Sequence, residues 1–455
     1  MSGRARCSVI LPSETQSREF DAKLLLACAL AERGLPTYVG SRIAIHAHIN
    51  HFPRSVYLAK DFRKPSHRIF RILAGLGHRI LGWDEEGILF FSAKAFHERR
   101  IHVPTFQMVE ELFAWGPQNA QFLRSAPGYG GVPIHDFGNP RIDMLRPELR
   151  EFYDAEVEAL KQRFGNFILV NTNFGKLNHA IPKYVVHPDG KDQSVGGIVT
   201  PYMRNAWAHR LKIFEAFQAM LPKLAAAFPD KMIVVRPHPA ESHDAWWRAA
   251  GGNERIIVSH EGAVYPWLLA CGAMIHNGCT TGIEGYFLGA SVISYRPVKS
   301  DEFDLGISNN LSLQVETEAE LCEAIARHSK LERTAATETE MQKIIAPYFS
   351  SIKGPLATDR IADAVSEFVS AQVDAGTATF QRRVLARADA ALRALTKAVA
   401  QYIPNHKNSH AYNIQRFPGV SLEQTNDRIK RFQQLLGRFS NVSAQQVAKN
   451  VYLVK

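Results

Sequence analysis

Cysteine is scarce in this chain of 455 residues. Its five cysteines, Cys7, Cys28, Cys271, Cys279 and Cys322, are scattered and odd in number, and they show no metal-ligand spacing. That excludes a disulfide framework and predicts reduced thiols in a cytoplasmic protein. Long apolar runs are also missing, and none would span a bilayer. The run Cys7 to Leu11, after Met1-Ser2-Gly3-Arg4-Ala5-Arg6, is too short for a signal-peptide core. There is no Asp-X-Asp metal motif and no nucleic-acid motif. Net charge is absent from most of the chain. Outside residues 376–455 there are 41 basic and 41 acidic side chains, whereas 376–455 holds thirteen Lys/Arg against three Asp/Glu and so carries the whole net charge of +10. A basic tail on a neutral body suggests an anionic partner, such as lipid headgroups or an acidic polymer; a solvated helical face is the other reading.

What is present is ordinary globular composition, 46% hydrophobic and 22% charged, and enough chain for two or three domains. Short apolar runs alternate with helical patterns. Ser8 to Leu11, Thr37 to Gly40, Val56 to Ala59 and Ile80 to Leu81 read as strands, with helices over Phe20 to Arg33 and Arg68 to Leu76. A second series begins at Phe167 to Asn171. It continues through a long loop, Thr172 to about Thr200, a long helix from Arg204 to Phe228, and strands at Met232 to Val235, Arg255 to Val258, Ala273 to His276 and Ser291 to Tyr295. After about residue 354 the pattern is helical, with a linker at Gly376-Thr377-Ala378, a helix start at Ser421 with Gln424 three residues on, and a closing strand at Val451 to Val454. The expected fold is α/β: two facing Rossmann-like domains with a central cleft over 1–150 and 151–353, plus a helical basic C-terminal extension over 354–455.

Three stretches carry chemistry. Val235 runs into Arg236-Pro237-His238-Pro239, where two prolines stiffen a turn at a strand end. Strand ends are where open α/β sheets bind ligands, and an arginine with a histidine suits a phosphate; a structural turn is the alternative. His276-Asn277-Gly278-Cys279-Thr280-Thr281-Gly282-Ile283-Glu284 leads a strand through a glycine turn into a helix start, an anion site or merely a capped helix. Glu284 either reaches a ribose hydroxyl or faces solvent. In the first half, Ile80-Leu81-Gly82-Trp83 runs into Asp84-Glu85-Glu86-Gly87, whose carboxylates suit a general base or nucleophile, or plain surface. The loop Pro12 to Glu19, with Glu14 and Arg18, would hold a polar acceptor or cap the next helix.

The combination of Asp84/Glu85/Glu86-Gly87, His238-Pro239 and Thr280-Thr281 resembles bacterial sialyltransferases and Kdo transferases of the GT-B fold. Leu11 to Thr15 through Gly34, Gly138-Asn139-Pro140-Arg141, His276 to Glu284 and Phe417-Pro418-Gly419 are similar to surface carbohydrate biosynthesis proteins. The usual hydroxyl pair is serine; here it is threonine. The resemblance implies a cytoplasmic glycosyltransferase, peripheral at the inner membrane face, that moves an ulosonic acid from a CMP-activated donor to a glycan or glycolipid acceptor. No cofactor or metal is implied. His238 would contact the donor phosphate, held also by Arg236, Asn277, Gly278, Thr280, Thr281, Gly282 and the helix start. One of Asp84, Glu85 or Glu86 would serve as base or nucleophile, with inverting and retaining chemistry both open. A CDP-glycerol-type glycerophosphotransferase, a sugar-nucleotide epimerase and a non-catalytic scaffold at a surface-polymer assembly complex are the rival readings.

Overall fold

The protein is described from a computed structural model that covers residues 7–90, 92–188, 199–304, 306–327, 335–371, 378–404, 406 and 408–455. Part of the expected long loop after Thr172, and Gly376 and Thr377 of the expected linker, lie outside the described residues. The chain forms two compact units, Met1–Phe152 with Ile345–Lys455, and Tyr153–Ile344.

The first unit is built on an eight-stranded sheet. Its strands are β1 Ser8–Ser13, β2 Thr37–Ser41, β3 Ser55–Ala59, β4 Arg79–Gly82, β5 Glu111–Phe113 and β6 Ile134–His135. The second unit holds β7 Ile168–Asn171, β8 Ile233–Arg236, β9 Ile256–Val258, β10 Ala273–His276, β11 Val292–Tyr295 and β12 Leu313–Val315; β13 Ala444–Ala448 and β14 Val451–Val454 return to the first unit. β1, β3, β7 and β8 are buried along their whole length. Strands covered on both faces read as continuous apolar runs, which is why these were visible in sequence. β12 and β13 carry weaker patterns and were not anticipated.

The strand orders place the ligand-binding edges. In the first unit the order is β13-β14-β2-β1-β3-β4-β5-β6, all parallel through β2 to β6. The chain leaves β1 first to one side and then to the other, so the switch point lies between β1 and β3. In the second unit the order is β9-β8-β7-β10-β11-β12, which is the dinucleotide-binding order with its switch point between β7 and β10. Each is a Rossmann-like sheet.

The C-terminal segment is largely helical, with helices Ala357–Ala371, Phe380–Ala400, His410–Arg416 and Leu422–Leu436. Residue 354 is nevertheless no domain boundary. The segment belongs to the first unit, where β14 pairs antiparallel with β2 and β13 with β14. Asp143 accepts from the Ala357 and Thr358 amides at 2.9 and 2.7 Å, capping the helix that opens the segment. The Phe417-Pro418-Gly419 stretch docks on the first helix, Gln16–Glu32. The Gln16 side chain and the Gly419 backbone exchange two hydrogen bonds, and the Phe20 and Phe417 rings meet edge to face at 6.0 Å. Ser421 and Gln424 form the expected capping box. No helix among the described residues is long and apolar enough to cross a membrane.

Candidate functional site

At the switch point of the second unit, β7 and β10 end side by side; Val170 pairs with Ile275, so Asn171 and His276 follow as neighbours. Asn171 is buried, and among the described residues neither its amide oxygen nor its nitrogen has a hydrogen-bond partner. The Asn277 amide oxygen is also buried and unpartnered. Most buried polar groups in folded proteins are paired, so unpartnered amide atoms on two residues at one strand edge make this edge a candidate for a polar ligand.

His276 is the support of this edge rather than a reactant. Its Nδ1 accepts from the Gly278 amide at 3.0 Å, so Nε2 carries the proton and donates to the Ser312 hydroxyl at 2.8 Å; that hydroxyl donates to the Ser308 carbonyl. Burial pushes its pKa down to about 3 and keeps it neutral. The bond turns the chain at Gly278, which sits at φ +79, into the helix Thr280–Leu288. The Cys279 side chain makes no cap bond, and its thiol, raised by burial, stays protonated against the Thr281 hydroxyl. Gly282 is required by the same pillar: a Cβ there would lie 2.6 Å from the His276 ring. Gly282→Ala is therefore expected to lower stability by about 1–3 kcal/mol through overpacking, read from the urea midpoint. Glu284 is buried, not solvent-facing.

The Arg-Pro-His-Pro turn follows β8. Arg236 does not face the switch point in the way a phosphate fork would. Its two terminal nitrogens donate to the Glu261 and Gly262 carbonyls at 2.7 and 2.5 Å, and its guanidinium stacks over Trp267. Burial lowers its pKa to about 9. This corrects the expectation of a donor-binding Arg236: it clasps the loop after β9. His238 is half-buried, and its Nδ1 accepts from the Ala240 amide at 3.1 Å, which in the neutral ring leaves Nε2–H as a donor. Pro239 is half-buried beside it.

The organiser of the turn is Glu241, which the sequence did not single out. It is fully buried and accepts from the Phe174 and His238 amides at 2.8 and 3.2 Å, the Thr172 hydroxyl at 2.9 Å and the Trp246 indole at 3.0 Å. It ties the loop after β7 to the His-Pro turn, and Gly175 lets them approach closely, since a Cβ there would lie 3.3 Å from the Ala240 Cβ. Burial raises the Glu241 pKa and the donated hydrogen bonds oppose that rise. A second missed residue is Arg210, on the helix Pro201–Ala227. It donates to the Asn173 carbonyl at 2.5 Å, and its charge is felt by Glu241, Cys279 and Asp304. Burial lowers its pKa. It places a buried cation against the loop that follows β7.

The strand ends of the first unit hold a buried ionic lattice. Glu14, after β1, is bound by Arg42 at 2.7 Å, Arg416 at 2.6 Å and Lys60. Burial favours its neutral form, but these three cations outweigh it and hold it far below the usual carboxylate range. Glu14 is thus part of the framework, not an acceptor-binding group at the surface. Asp84 is fully buried in a two-pronged pair with Arg100, at 2.7 and 2.8 Å, and Glu85 is buried against Lys23 at 2.9 Å. Burial opposes the Arg100 charge, and Asp84 and Glu86 more than restore it. Neither Asp84 nor Glu85 is placed as an exposed base, which corrects that part of the expectation. Glu86 is the accessible carboxylate, with 58% of its side chain exposed. Burial would raise its pKa, but Arg100, Arg18, Lys60 and Arg63 hold it down and keep it ionised. Arg18 thus lies within reach of Glu86 electrostatically. Gly138-Asn139-Pro140-Arg141 serves the same loop: Arg141 donates to the Glu85 carbonyl at 3.3 Å, and Asn139 caps the turn at Arg141. Trp115 donates to the Asp84 carbonyl at 2.7 Å. The pairings of Lys23 with Glu85, Lys60 with Glu14 and Arg100 with Asp84 gave no local signal, because each partner lies in a loop far along the chain.

Two Rossmann-like sheets in one chain, each with a polar constellation at its switch point, define an α/β protein of the GT-B class. Among solved structures, the chain is similar to the wall teichoic acid polymerase TagF, at 10% identity over 82% of this chain and 91% of that one, with a TM-score of 0.51. It is also similar to the Methanocaldococcus jannaschii UDP-GlcNAc 2-epimerase in complex with UDP-GlcNAc and UDP, at 13% identity, 80% and 99% coverage and a TM-score of 0.47. A putative UDP-N-acetylglucosamine 2-epimerase from Listeria monocytogenes matches at 15% identity, 82% and 99% coverage and 0.48. At these identities the likeness is one of fold. No family model matches the chain, and no curated protein matches it.

Proposed function

We propose that the chain is a nucleotide-dependent transferase of surface-polymer biosynthesis whose second unit holds the donor. The observation that carries this reading is that, among the described residues, the Asn171 amide and the Asn277 amide oxygen are unpartnered at the β7/β10 switch point, beside the helix start Thr280-Thr281 and the His238 turn. A donor phosphate fits there. The Thr280 and Thr281 hydroxyls and the helix N-terminus supply neutral donors, Arg210 supplies charge, and His238 supplies Nε2–H to a departing phosphate. These groups neutralise the leaving nucleotide without a metal.

The donor we propose is a CMP-linked ulosonic acid, passed to a glycan or glycolipid with Glu86 as the base toward the acceptor hydroxyl. A CDP-linked alcohol is the second reading. The TagF likeness favours it. A thermal-shift series separates the readings, since a ligand of the native state raises its melting point. Shifts of several degrees with CMP and CDP are expected, and CMP-ulosonic acid should be hydrolysed or transferred while CDP-glycerol is not. A response to UDP alone would overturn the cytidine assignment, and turnover of CDP-glycerol would select the second reading.

A further inference from the structure

The helix Phe380–Ala400 of the first unit is docked by one side only. On that side Ala386 and Ala390 are buried, and Ala386 fits over Gly75, where a Cβ would come within 2.7 Å of it. Arg68 pairs with Asp389 at 2.7 Å, Asn50 donates to the Arg387 carbonyl at 3.2 Å, and Arg393 lies 3.3 Å from His46 Nδ1. These contacts fix the rotation of the helix. At 3.6 residues per turn the opposite face carries Val384, Leu385, Leu392, Leu395 and Val399, with Tyr402 continuing it beyond the helix end. All six are exposed, Leu385 by 70%, Leu395 by 63% and Tyr402 by 79%. The positions between them, 388, 391 and 398, are exposed alanines. An amphipathic surface helix ordinarily turns such a stripe inward; here small residues face the protein and large apolar ones face out.

We propose that this outer face lies on an anionic lipid surface, parallel to the membrane plane, with the apolar stripe among the acyl chains. Charge decides the occupant. The helix holds five Lys/Arg and one Asp, and Arg382 and Arg387 stand on either side of the stripe. An apolar face with cationic flanks is the pattern of an interfacial helix, and each flanking cation is attracted to an anionic leaflet. Tyr402 adds a ring suited to the headgroup boundary. A second copy of this chain would bring the same cationic flanks against one another, which disfavours self-association through this face. The inference is independent of the donor assigned to the second unit, and it gives the basic segment a specific contact element.

The test is flotation of the full chain with vesicles. Vesicles of phosphatidylglycerol and phosphatidylethanolamine are expected to carry the protein upward, and pure phosphatidylcholine vesicles to carry much less. The triple variant Leu385→Gln/Leu392→Gln/Leu395→Gln should lose binding at least tenfold with an unchanged melting temperature, because all three side chains are exposed. The pair Arg382→Gln/Arg387→Gln, a separate variant that leaves the stripe intact, should lose binding to the anionic vesicles only. Three results would each overturn the proposal: a wild-type chain that stays at the bottom of the gradient, an apolar triple that floats like wild type, or a wild-type dimer that the triple converts to monomer with no lipid binding in either.

Discussion

Replacing His238 with alanine is expected to lower turnover by about 10²–10⁴-fold with little change in melting temperature. The reason lies in how the turn is held. Pro237 and Pro239 fix their own backbone angles, and the His238 amide, which alanine keeps, donates to Glu241 at 3.2 Å. The substitution removes the ring, and with it the acceptor of the Ala240 amide, but leaves the bond to Glu241 in place. Turnover with the donor under saturating conditions, beside a melting curve, is the measurement; an alanine variant as active as wild type would move the chemistry away from this turn. Glu241→Ala behaves differently. It strips the acceptor from the Phe174 amide, the Thr172 hydroxyl and the Trp246 indole together, so stability falls along with turnover.

Arg100→Ala is expected to lower the stability of the first unit by about 3–5 kcal/mol, because it leaves the fully buried Asp84 without its partner. Asp84→Asn should be milder, since the amide oxygen still accepts from Arg100 and Glu86 remains as the counter-charge to that guanidinium. Glu86→Gln is the contrasting case. Its side chain is more than half exposed, so stability should change by less than about 0.5 kcal/mol, while transfer drops if this carboxylate takes the acceptor proton. Denaturant melts and transfer rates on the three variants separate the roles. If Asp84→Asn lost transfer and kept full stability while Glu86→Gln stayed active, the reactive carboxylate would be Asp84 and the ion pair its tuning device.

The two catalytic expectations differed in how far sequence carried them. His238 and the Thr280-Thr281 helix start were legible because their signal is local: an apolar run, then proline or glycine, then a polar side chain at the strand end. Arg236 sits in the same run, yet its direction is set by the carbonyls of residues 261 and 262, some 25 positions along the chain. The acidic triplet illustrates the same limit. Asp84, Glu85 and Glu86 are consecutive and chemically alike, but Arg100, Lys23 and solvent give them three different environments.

The sequence by itself determined the alternation of strand and helix, the two Rossmann-like units, the strand-end position of the polar motifs, the capped helix at Ser421 and the placement of all net charge in the last eighty residues. These depend on periodicity and on turn chemistry within a few residues. The tertiary structure alone decided strand order, and with it the two switch points. It also decided the return of β14 to pair with β2, the hub at Glu241, the cation at Arg210 and which face of the helix 380–400 meets solvent. Each of these joins residues far apart in the chain, as when Arg416 closes on Glu14 across four hundred positions. Such a pairing leaves no pattern in either neighbourhood, because the two side chains meet only once the chain has folded.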